Sequence, residues 1–328
     1  MKRNHPFRLS DLAINVVNSD LEDENEKYDL LVYPIGYERR SRYVAERTVG
    51  RWQKALGYVF PDGHVLSFEQ NLRVSKDWGV SEIHGVDKLE LLESIVRALD
   101  CKDYSSKRIL VDISSFNRRL IASLSEILLT EPIFDGCDVT FAYSLAKFRE
   151  PPKRAAPFMD FAPIVGLEGW TAHPERPTVL VVGVGYAEDE AIGAVEYLDP
   201  SVTFGFLPTG VDFRFRLEVE RNNLALLALI NRRNVVDYKI MFPYQTFWEL
   251  LTLVQHLSAT TRVVLVPMGP KIFCSLCILV KMIVGDEIAL WRASGHELSS
   301  VSDVEADGAM CGYTVWKQNR ADSSRPGI

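Results

Sequence analysis

The sequence contains few cysteines and no long hydrophobic run. Its 328 residues include five cysteines that form no paired framework, which favours a reducing compartment over a secreted protein. The longest apolar run, residues 272–284, is too short and too interrupted to span a bilayer. The N-terminal residues have no apolar segment typical of a secretory signal. We therefore predict a cytoplasmic protein that makes no membrane contact.

Metal ligands and catalytic motifs are also scarce. Cys274 and Cys277 form one CxxC pair, but the other cysteines and the six histidines supply no second ligand pair at the spacing of a zinc site. Both cysteines lie in an apolar run, where cysteine usually packs as a small hydrophobic residue, and a redox role is the alternative. His64 and His84 could provide acid–base chemistry, but no nucleophile motif accompanies them. The sequence predicts no metal and no cofactor, and leaves any catalytic residue unknown.

The chain has fewer basic than acidic residues, which limits the kind of ligand that it can bind. The formal net charge is −7, so the broad basic surface that holds extended nucleic acid is not expected, whereas a compact basic site remains open. Apolar residues make up 47% and charged residues 25% of the chain, as in ordinary globular proteins. The length favours two domains.

Predicted strands and helices alternate, and the pattern occurs twice. The predicted strands are 30–35, 65–68, 108–113 and 139–144 in the first half, and 178–184, 202–207, 235–242, 262–266 and 288–292 in the second. The predicted helices are one that ends near Leu56, 89–99, one from Phe116 to before Pro132, 187–197, 217–232, 245–257 and 272–284. Apolar strands that alternate with helices are typical of a parallel sheet covered on both faces.

Three segments of the halves align in the same order: LVYPIGYERR with LVVGVGYAED, RILVDISSFNR with RVVLVPMGPKI, and CDVTFAYSLA with GDEIALWRAS. We therefore predict an α/β fold with two tandem Rossmann-like halves, mainly parallel sheets and a pseudo-twofold internal duplication. The predicted boundaries are an N-terminal lead-in (1–28), half 1 (29–148), a proline-rich linker (149–177), half 2 (178–299) and a C-terminal tail (300–328) with one strand at 312–316.

Ligands of open parallel sheets bind beyond the carboxyl ends of the strands. After the first strand, a permissive glycine precedes arginines at a helix start, where free amides and the helix dipole favour an anion. After the strand that ends near Asp112 come two serines, an amide and two arginines, and Asp112 could orient a ribose hydroxyl or an arginine. A solvated basic helix and an ordinary N-cap are the structural alternatives. The predicted phosphate-binding residues of the first half are Gly36, Tyr37, Arg39, Arg40, Asp112, Ser114, Ser115, Asn117 and Arg118.

The second half has weaker counterparts of these loops. The glycines of Gly185-Tyr186 and of Gly269-Pro270-Lys271 permit close backbone approach, and Lys271 occupies the place of a phosphate-binding lysine. Acidic residues replace the arginines after Tyr186, so the two halves are not expected to be equivalent. The segment GVGYAE lacks the third glycine of a dinucleotide motif, which disfavours NAD.

The pattern resembles the CRISPR-associated Rossmann fold (CARF) ligand sensors and the related SAVED domains, in which two such units are fused. Such units carry a small-residue loop after strand one and a Thr-Gly-Gly-Thr-Lys-like loop after a later strand. Ile35-Gly36-Tyr37 and Val184-Gly185-Tyr186 stand at the first place, and 114–118 and 268–271 at the second. The resemblance covers residues 29–145 and 178–295 and is one of pattern, since neither loop matches the family motif closely.

The resemblance implies recognition of a cyclic oligonucleotide or related nucleotide signal between the halves, in prokaryotic antiviral defence. Such sensors usually carry an effector domain, and none is recognisable in this sequence, which implies a separate effector protein or a chain that degrades the signal. The leading interpretation is a nucleotide-binding sensor or regulatory subunit of unassigned oligomeric state. A phosphodiesterase acting on a nucleotide or RNA end is the alternative, although it lacks a convincing general base. A protein-interaction scaffold, the third interpretation, leaves the arginines unexplained.

Overall fold

Two largely parallel sheets form the framework of the chain. The computed structural model describes residues 14–85, 87–101, 103–150, 160–169, 173–188, 190–294 and 302–317. The strands of the first sheet are β1 (Ile14–Asn18), β2 (Tyr28–Ile35), β3 (Trp52–Val59), β4 (Ser81–His84), β5 (Arg108–Asp112), β6 (Asp138–Ala146) and β13 (Ala306–Lys317). Their order is β1-β13-β6-β5-β2-β3-β4. The strands β2 to β6 run parallel, and β13 is antiparallel to both β6 and β1.

The second sheet repeats this arrangement. Its strands are β7 (Asp160–Pro163), β8 (Thr178–Gly183), β9 (Val202–Thr209), β10 (Val235–Lys239), β11 (Arg262–Pro267) and β12 (Ile288–Ser294), in the order β10-β9-β8-β11-β12-β7. The strands β8 to β12 are parallel and β7 is antiparallel to β12. In each half the five parallel strands therefore have the order 3-2-1-4-5, which confirms the predicted fold of two Rossmann-like halves.

Helices cover both faces of each sheet. They are α1 (Tyr43–Arg47), α2 (Phe68–Asp77), α3 (Lys88–Leu99), α4 (Arg118–Thr130), α5 (Glu190–Leu198), α6 (Phe213–Asn222), α7 (Leu224–Leu229), α8 (Pro243–Ser258) and α9 (Lys271–Val284). The helix α3 is typical: the Asp87 carboxylate caps its N-terminus, and Leu91, Ile95 and Leu99, four residues apart, face the core. No helix in the described part of the chain is long and apolar enough to cross a membrane.

The two sheets exchange one strand each. The strand β7 follows β6 in the chain but pairs with β12, whereas β13 follows β12 but pairs with β6. One continuous hydrophobic core contains residues of both halves, because α4 of the first half packs against α9 of the second. The halves are therefore joined in two ways. Each half contributes one strand to the sheet of the other, and the two halves share a hydrophobic core.

Several predicted elements differ from the structure. The first predicted helix ends at Arg47 instead of Leu56, because Gly50 turns the chain with a positive φ and residues 52–59 form the buried strand β3. The predicted strand at 65–68 is wrong, and β4 was not predicted. The predicted helix 217–232 is two helices, α6 and α7, which meet at Asn223. The segments predicted as lead-in, linker and tail contribute β1, β7 and β13.

Candidate functional site

The carboxyl ends of the two sheets face each other. Arg118, the first residue of α4, donates from Nε to the Pro267 carbonyl (2.7 Å) and from Nη2 to the Met268 carbonyl (3.2 Å). Both carbonyls lie at the end of β11, so the loops after β5 and β11 are in direct contact. We call the region formed by residues 36–41, 112–118, 184–186 and 267–271 the seam. It brings together the predicted loops of both halves.

Arg40 is the central cation of the first loop and is held by the protein itself. Its side chain is buried, and Nη2 donates to the Ser114 carbonyl and to Glu38 Oε2, each at 3.1 Å. Ser115 Oγ donates to the same carboxylate oxygen at 2.9 Å. The Nε atom of Arg40 is buried and has no hydrogen-bond partner in the described residues. One guanidinium donor is therefore enclosed without a partner among the described residues.

Asp112 lies at the end of β5 and is completely buried. Its Oδ1 accepts a hydrogen bond from the Ser114 backbone N–H (2.8 Å), while Oδ2 has no partner among the described residues. Burial raises the pKa of Asp112 to about 7, against the opposing effects of the Ser114 hydrogen bonds and the charges of Arg40 and Lys271. At neutral pH this carboxyl is about half ionised.

Lys271 contributes a cation from the second half. It begins α9, is half-buried, and its ammonium group forms no hydrogen bond or ion pair with any residue that the structure describes. Burial lowers the pKa of Lys271 to about 8; Arg40 and Arg118 act in the same direction, and Glu38 opposes them. Lys271 is mostly protonated at neutral pH, beside a helix N-terminus that also favours an anion.

Contact between loops accounts for the glycines of the second half. A Cβ atom at Gly185 would lie 2.9 Å from the Met268 carbonyl oxygen, and one at Gly269 would lie 2.8 Å from the Val184 carbonyl oxygen. The two loops thus pack backbone against backbone. This packing explains why both positions are glycine. The sequence analysis predicted these glycines for a different reason, the close approach of a ligand.

The remaining predicted residues make other contacts. Arg39 is exposed and paired with Asp303 (2.8 Å) and Glu305 (2.6 Å). Asn117 caps α4 by accepting from the Leu120 N–H. Ser114 Oγ accepts from the Ser144 N–H (2.8 Å), so it ties β5 to β6. The Tyr37 carbonyl accepts from the Ser67 N–H, and the Tyr186 ring packs edge-on against Phe215. The Gly36 carbonyl accepts a hydrogen bond from the Asn71 side chain.

The sequence analysis missed Glu38 within the seam and four residues that contact it: Asn71, Tyr143, Asn223 and Tyr238. Asn71 donates to the Gly36 carbonyl (2.7 Å), and Asn223 donates to the equivalent Gly185 carbonyl (2.9 Å). These two amides follow the second strand of each half, so the internal alignment, extended past that strand, could have revealed them. Tyr143 lies under the Arg40 guanidinium, and the buried Tyr238 hydroxyl has no partner among the described residues.

One cavity lies apart from this site, and a pair of cysteines is buried on α9 beyond Lys271. A cavity of about 240 Å³ is located at the amino ends of β2, β5 and β6, beside Tyr28 and Arg108, and so at the opposite edge of the sheet. Cys274 and Cys277 are fully buried on α9, and burial raises the pKa of both thiols. No group of three or more His, Cys, Asp or Glu side chains that could hold a metal ion occurs in the described residues.

The chain matches no protein-family model and no curated protein. Among solved structures it is similar to the cytoplasmic domain of a prokaryotic cation chloride cotransporter, with 13% identity, 84% of this chain and 100% of that chain covered, and a TM-score of 0.22. It is also similar to phosphoethanolamine N-methyltransferase 1 of Haemonchus contortus, with 12% identity, coverage of 90% and 91%, and a TM-score of 0.23. Similarities this weak carry no functional argument.

Proposed function

We propose that this chain is a sensor that binds a nucleotide-type ligand through its phosphates at the seam between the halves. The observation that carries the proposal is the Lys271 ammonium group, which has no acidic partner at ion-pair distance in the described part of the chain. It is close enough to Arg40 and Arg118 for their charges to lower its pKa. These three cations face two carboxyl groups, those of Glu38 and of the partly protonated Asp112. The seam is thus locally positive in a chain of net charge −7.

The available donors suit a phosphate. Lys271 supplies an ammonium group that has no partner among the described residues, and the N-terminus of α9 supplies free backbone amides. Arg39 would join them only by leaving Asp303 and Glu305, and Arg118 only by leaving the carbonyls of β11. In this proposal Arg118 therefore holds the halves together and Lys271 makes the primary ligand contact.

Binding without turnover fits the state of the polar side chains better than catalysis. The hydroxyls of Ser114 and Ser115 are engaged with the Ser144 N–H and with Glu38, and neither has a histidine or lysine base beside it among the contacts described. Asp112 is buried and already accepts from Ser114. A cyclic oligonucleotide as ligand, a separate effector protein as partner and a role in antiviral defence follow from the CARF-like pattern and belong to the proposal.

The experiment is calorimetric titration and thermal shift of the purified chain with cyclic and linear oligoadenylates, together with chromatography of the recovered ligand. We expect saturable binding of an intact nucleotide. The variant Lys271→Gln should weaken it about tenfold or more, since it removes one charge-assisted contact. Lys76→Gln, which removes an exposed lysine of the first half, is the matched control and should bind normally.

Equal affinity in Lys271→Gln and the parent chain would refute the site. Absence of binding by every nucleotide would refute the ligand class. Recovery of cleaved nucleotide would replace the sensor with a phosphodiesterase.

A further inference from the structure

An acidic segment just before β13 lies across the first loop of the seam. We call residues 303–305 the strap. Asp303 Oδ1 accepts from the Arg39 backbone N–H (2.8 Å), and Asp303 Oδ2 accepts from Arg39 Nε (2.8 Å) and from the Ser67 hydroxyl (2.7 Å). Burial opposes ionisation of Asp303, but these hydrogen bonds lower its pKa below the ordinary value. A backbone amide, a guanidinium and a hydroxyl thus converge on one carboxylate of the chain itself.

Glu305 makes a second contact of the same kind. Its Oε1 accepts from Arg39 Nη1 (2.6 Å), and its Oε2 accepts from Nζ of Lys147, the residue after β6 (3.2 Å). Two carboxylates therefore share the Arg39 guanidinium, Asp303 at Nε and Glu305 at Nη1. Guanidinium and ammonium donors in this arrangement are the ones that bind phosphate oxygens. The strap therefore occupies donors of the chemistry that a phosphate requires.

The attachment of the strap is polar and largely exposed. The Val304 carbonyl accepts from the Arg40 N–H (2.9 Å), and the Glu305 carbonyl accepts from the Lys147 N–H (2.8 Å). The Val304 side chain belongs to none of the hydrophobic clusters formed by the described residues. The side chains of Arg39 and Lys147 are 52% and 65% exposed, and water and salt compete for ion pairs at such positions. The strap can therefore be displaced without loss of core packing.

The pairing of β13 is interrupted just beyond the strap. Ala306 pairs with Ala146 of β6, but the register shifts before Met310. From Met310 the strand pairs regularly with β6 as far as Trp316. Gly308, within the irregular stretch, has a φ of +109°, which few other residues adopt. This bulge separates the strap from the regular ladder, so movement of the strap leaves β13 paired.

We propose that the strap is an internal competitor of the ligand: a phosphate takes the donors of Arg39 and Ser67 from the strap carboxylates, and the strap leaves the seam when the ligand binds. This inference rests on the proposed function, since it concerns the anion that enters the seam. Displacement of residues 303–305 changes the surface beside the bound ligand, which gives the sensor a conformational output. It also favours polyanions, because an entering group must replace two carboxylates.

The first test is calorimetric titration with tripolyphosphate, a polyanion that has no nucleobase. Asp303→Asn with Glu305→Gln should bind it about tenfold or more tightly than the parent chain, because the anion no longer displaces two carboxylates. Adding Arg39→Gln should cancel the gain. Glu22→Gln with Glu126→Gln is the matched control, since it also removes two carboxylates from ion pairs and changes the net charge equally. This control should bind as the parent does.

Amide hydrogen exchange of the parent chain is a second measurement and needs no variant. The N–H groups of Arg40 and Lys147 donate to the carbonyls of the strap, so saturation with tripolyphosphate should speed the exchange of both amides several-fold. An anion that binds beside a stationary strap would leave their exchange unchanged or slow it. The direction of the change therefore separates displacement from simple binding.

Thermal melts of each variant would verify folding. Equal affinity of the parent and the strap variant would overturn the proposal, as would an equal gain in the control variant, absence of tripolyphosphate binding by both, or exchange at Arg40 and Lys147 that is not accelerated. Failure of the proposed function is a separate result. If Lys271→Gln bound nucleotides as the parent does, the primary contact would be refuted, whereas the gain of the strap variant with tripolyphosphate would remain.

Discussion

Asp112 makes a specific contribution to stability that depends on pH. Its pKa is about 7 in the folded chain against an ordinary value of 3.8. Below about pH 4 the carboxyl is protonated in both states. Between pH 4 and 7 the unfolded chain ionises first, so the free energy of unfolding falls as the pH rises, and above pH 7 the loss is constant. Linkage puts the total at roughly 4 kcal/mol.

We expect Asp112→Asn to keep the hydrogen bond from the Ser114 N–H and to remove this loss. The melting temperature of the variant should exceed that of the parent at pH 8 and match it at pH 4. Thermal melts across this range measure the difference. Asp62→Asn, at an exposed residue, is the control and should leave the parent curve unchanged. Parallel pH curves for Asp112→Asn and the parent would show that the buried carboxyl is not the cause.

Lys271 predicts a pH dependence of ligand binding. Because its pKa is lowered to about 8, the ammonium group loses its proton above that pH, and affinity for a phosphate diester should fall between pH 7 and pH 9. Calorimetry in two buffers of different ionisation enthalpy should detect proton uptake on binding at the higher pH. Asp112 ionises over pH 6 to 8 and acts in the same direction, so the Asp112→Asn background isolates the effect of Lys271. Unchanged affinity across this range in that background would contradict the role of the lysine.

At the scale of single elements, the loops after β2 and β8 allow a matched comparison of duplicated glycines. A Cβ at Gly185 meets the Met268 carbonyl oxygen at 2.9 Å, whereas a Cβ at the equivalent Gly36 meets the Phe60 ring at 3.7 Å and the Ser41 Cβ at 3.9 Å, which are ordinary contacts. We expect Gly185→Ala to cost about 1–3 kcal/mol of unfolding free energy, because a backbone carbonyl cannot move aside easily. Gly36→Ala should be tolerated. Urea denaturation of both variants measures this, and equal costs would mean that the two loops do not differ in their packing.

The same elements explain which parts of the fold the sequence could predict. Strands such as β2, β5, β8 and β11 are buried on both faces, so each is a continuous apolar run and was predicted to within about two residues. In strand β3 the first residue, Trp52, is followed by the polar Gln53 and Lys54, and Lys54 continues the basic pattern of Arg47 and Arg51, so the pattern favoured a helix there. The position of the polar loops followed from the strand ends. Their partners did not, because Asp303 and Glu305 lie more than 260 residues away in sequence from Arg39.

At the scale of the whole molecule, the strand exchange and the common core predict that the two halves unfold together. Arg118 adds to this coupling, since a residue of the first half donates to three backbone carbonyls of the second. Tandem domains joined only by a linker would unfold separately. Here the unfolding of either sheet would leave unpaired the strand that the other half contributes to it.

A core substitution confined to one half tests this coupling. Leu180 on β8 is completely buried in a hydrophobic cluster whose members all lie between residues 161 and 293, so Leu180→Ala damages the second sheet directly and should cost about 2–5 kcal/mol. Hydrogen exchange followed by mass spectrometry during urea denaturation should show that peptides of both sheets lose protection at one midpoint, lowered equally in the variant. If only the peptides of the second sheet shifted, each half would be an independent folding unit, and the exchanged strands would have to dissociate at little cost in free energy.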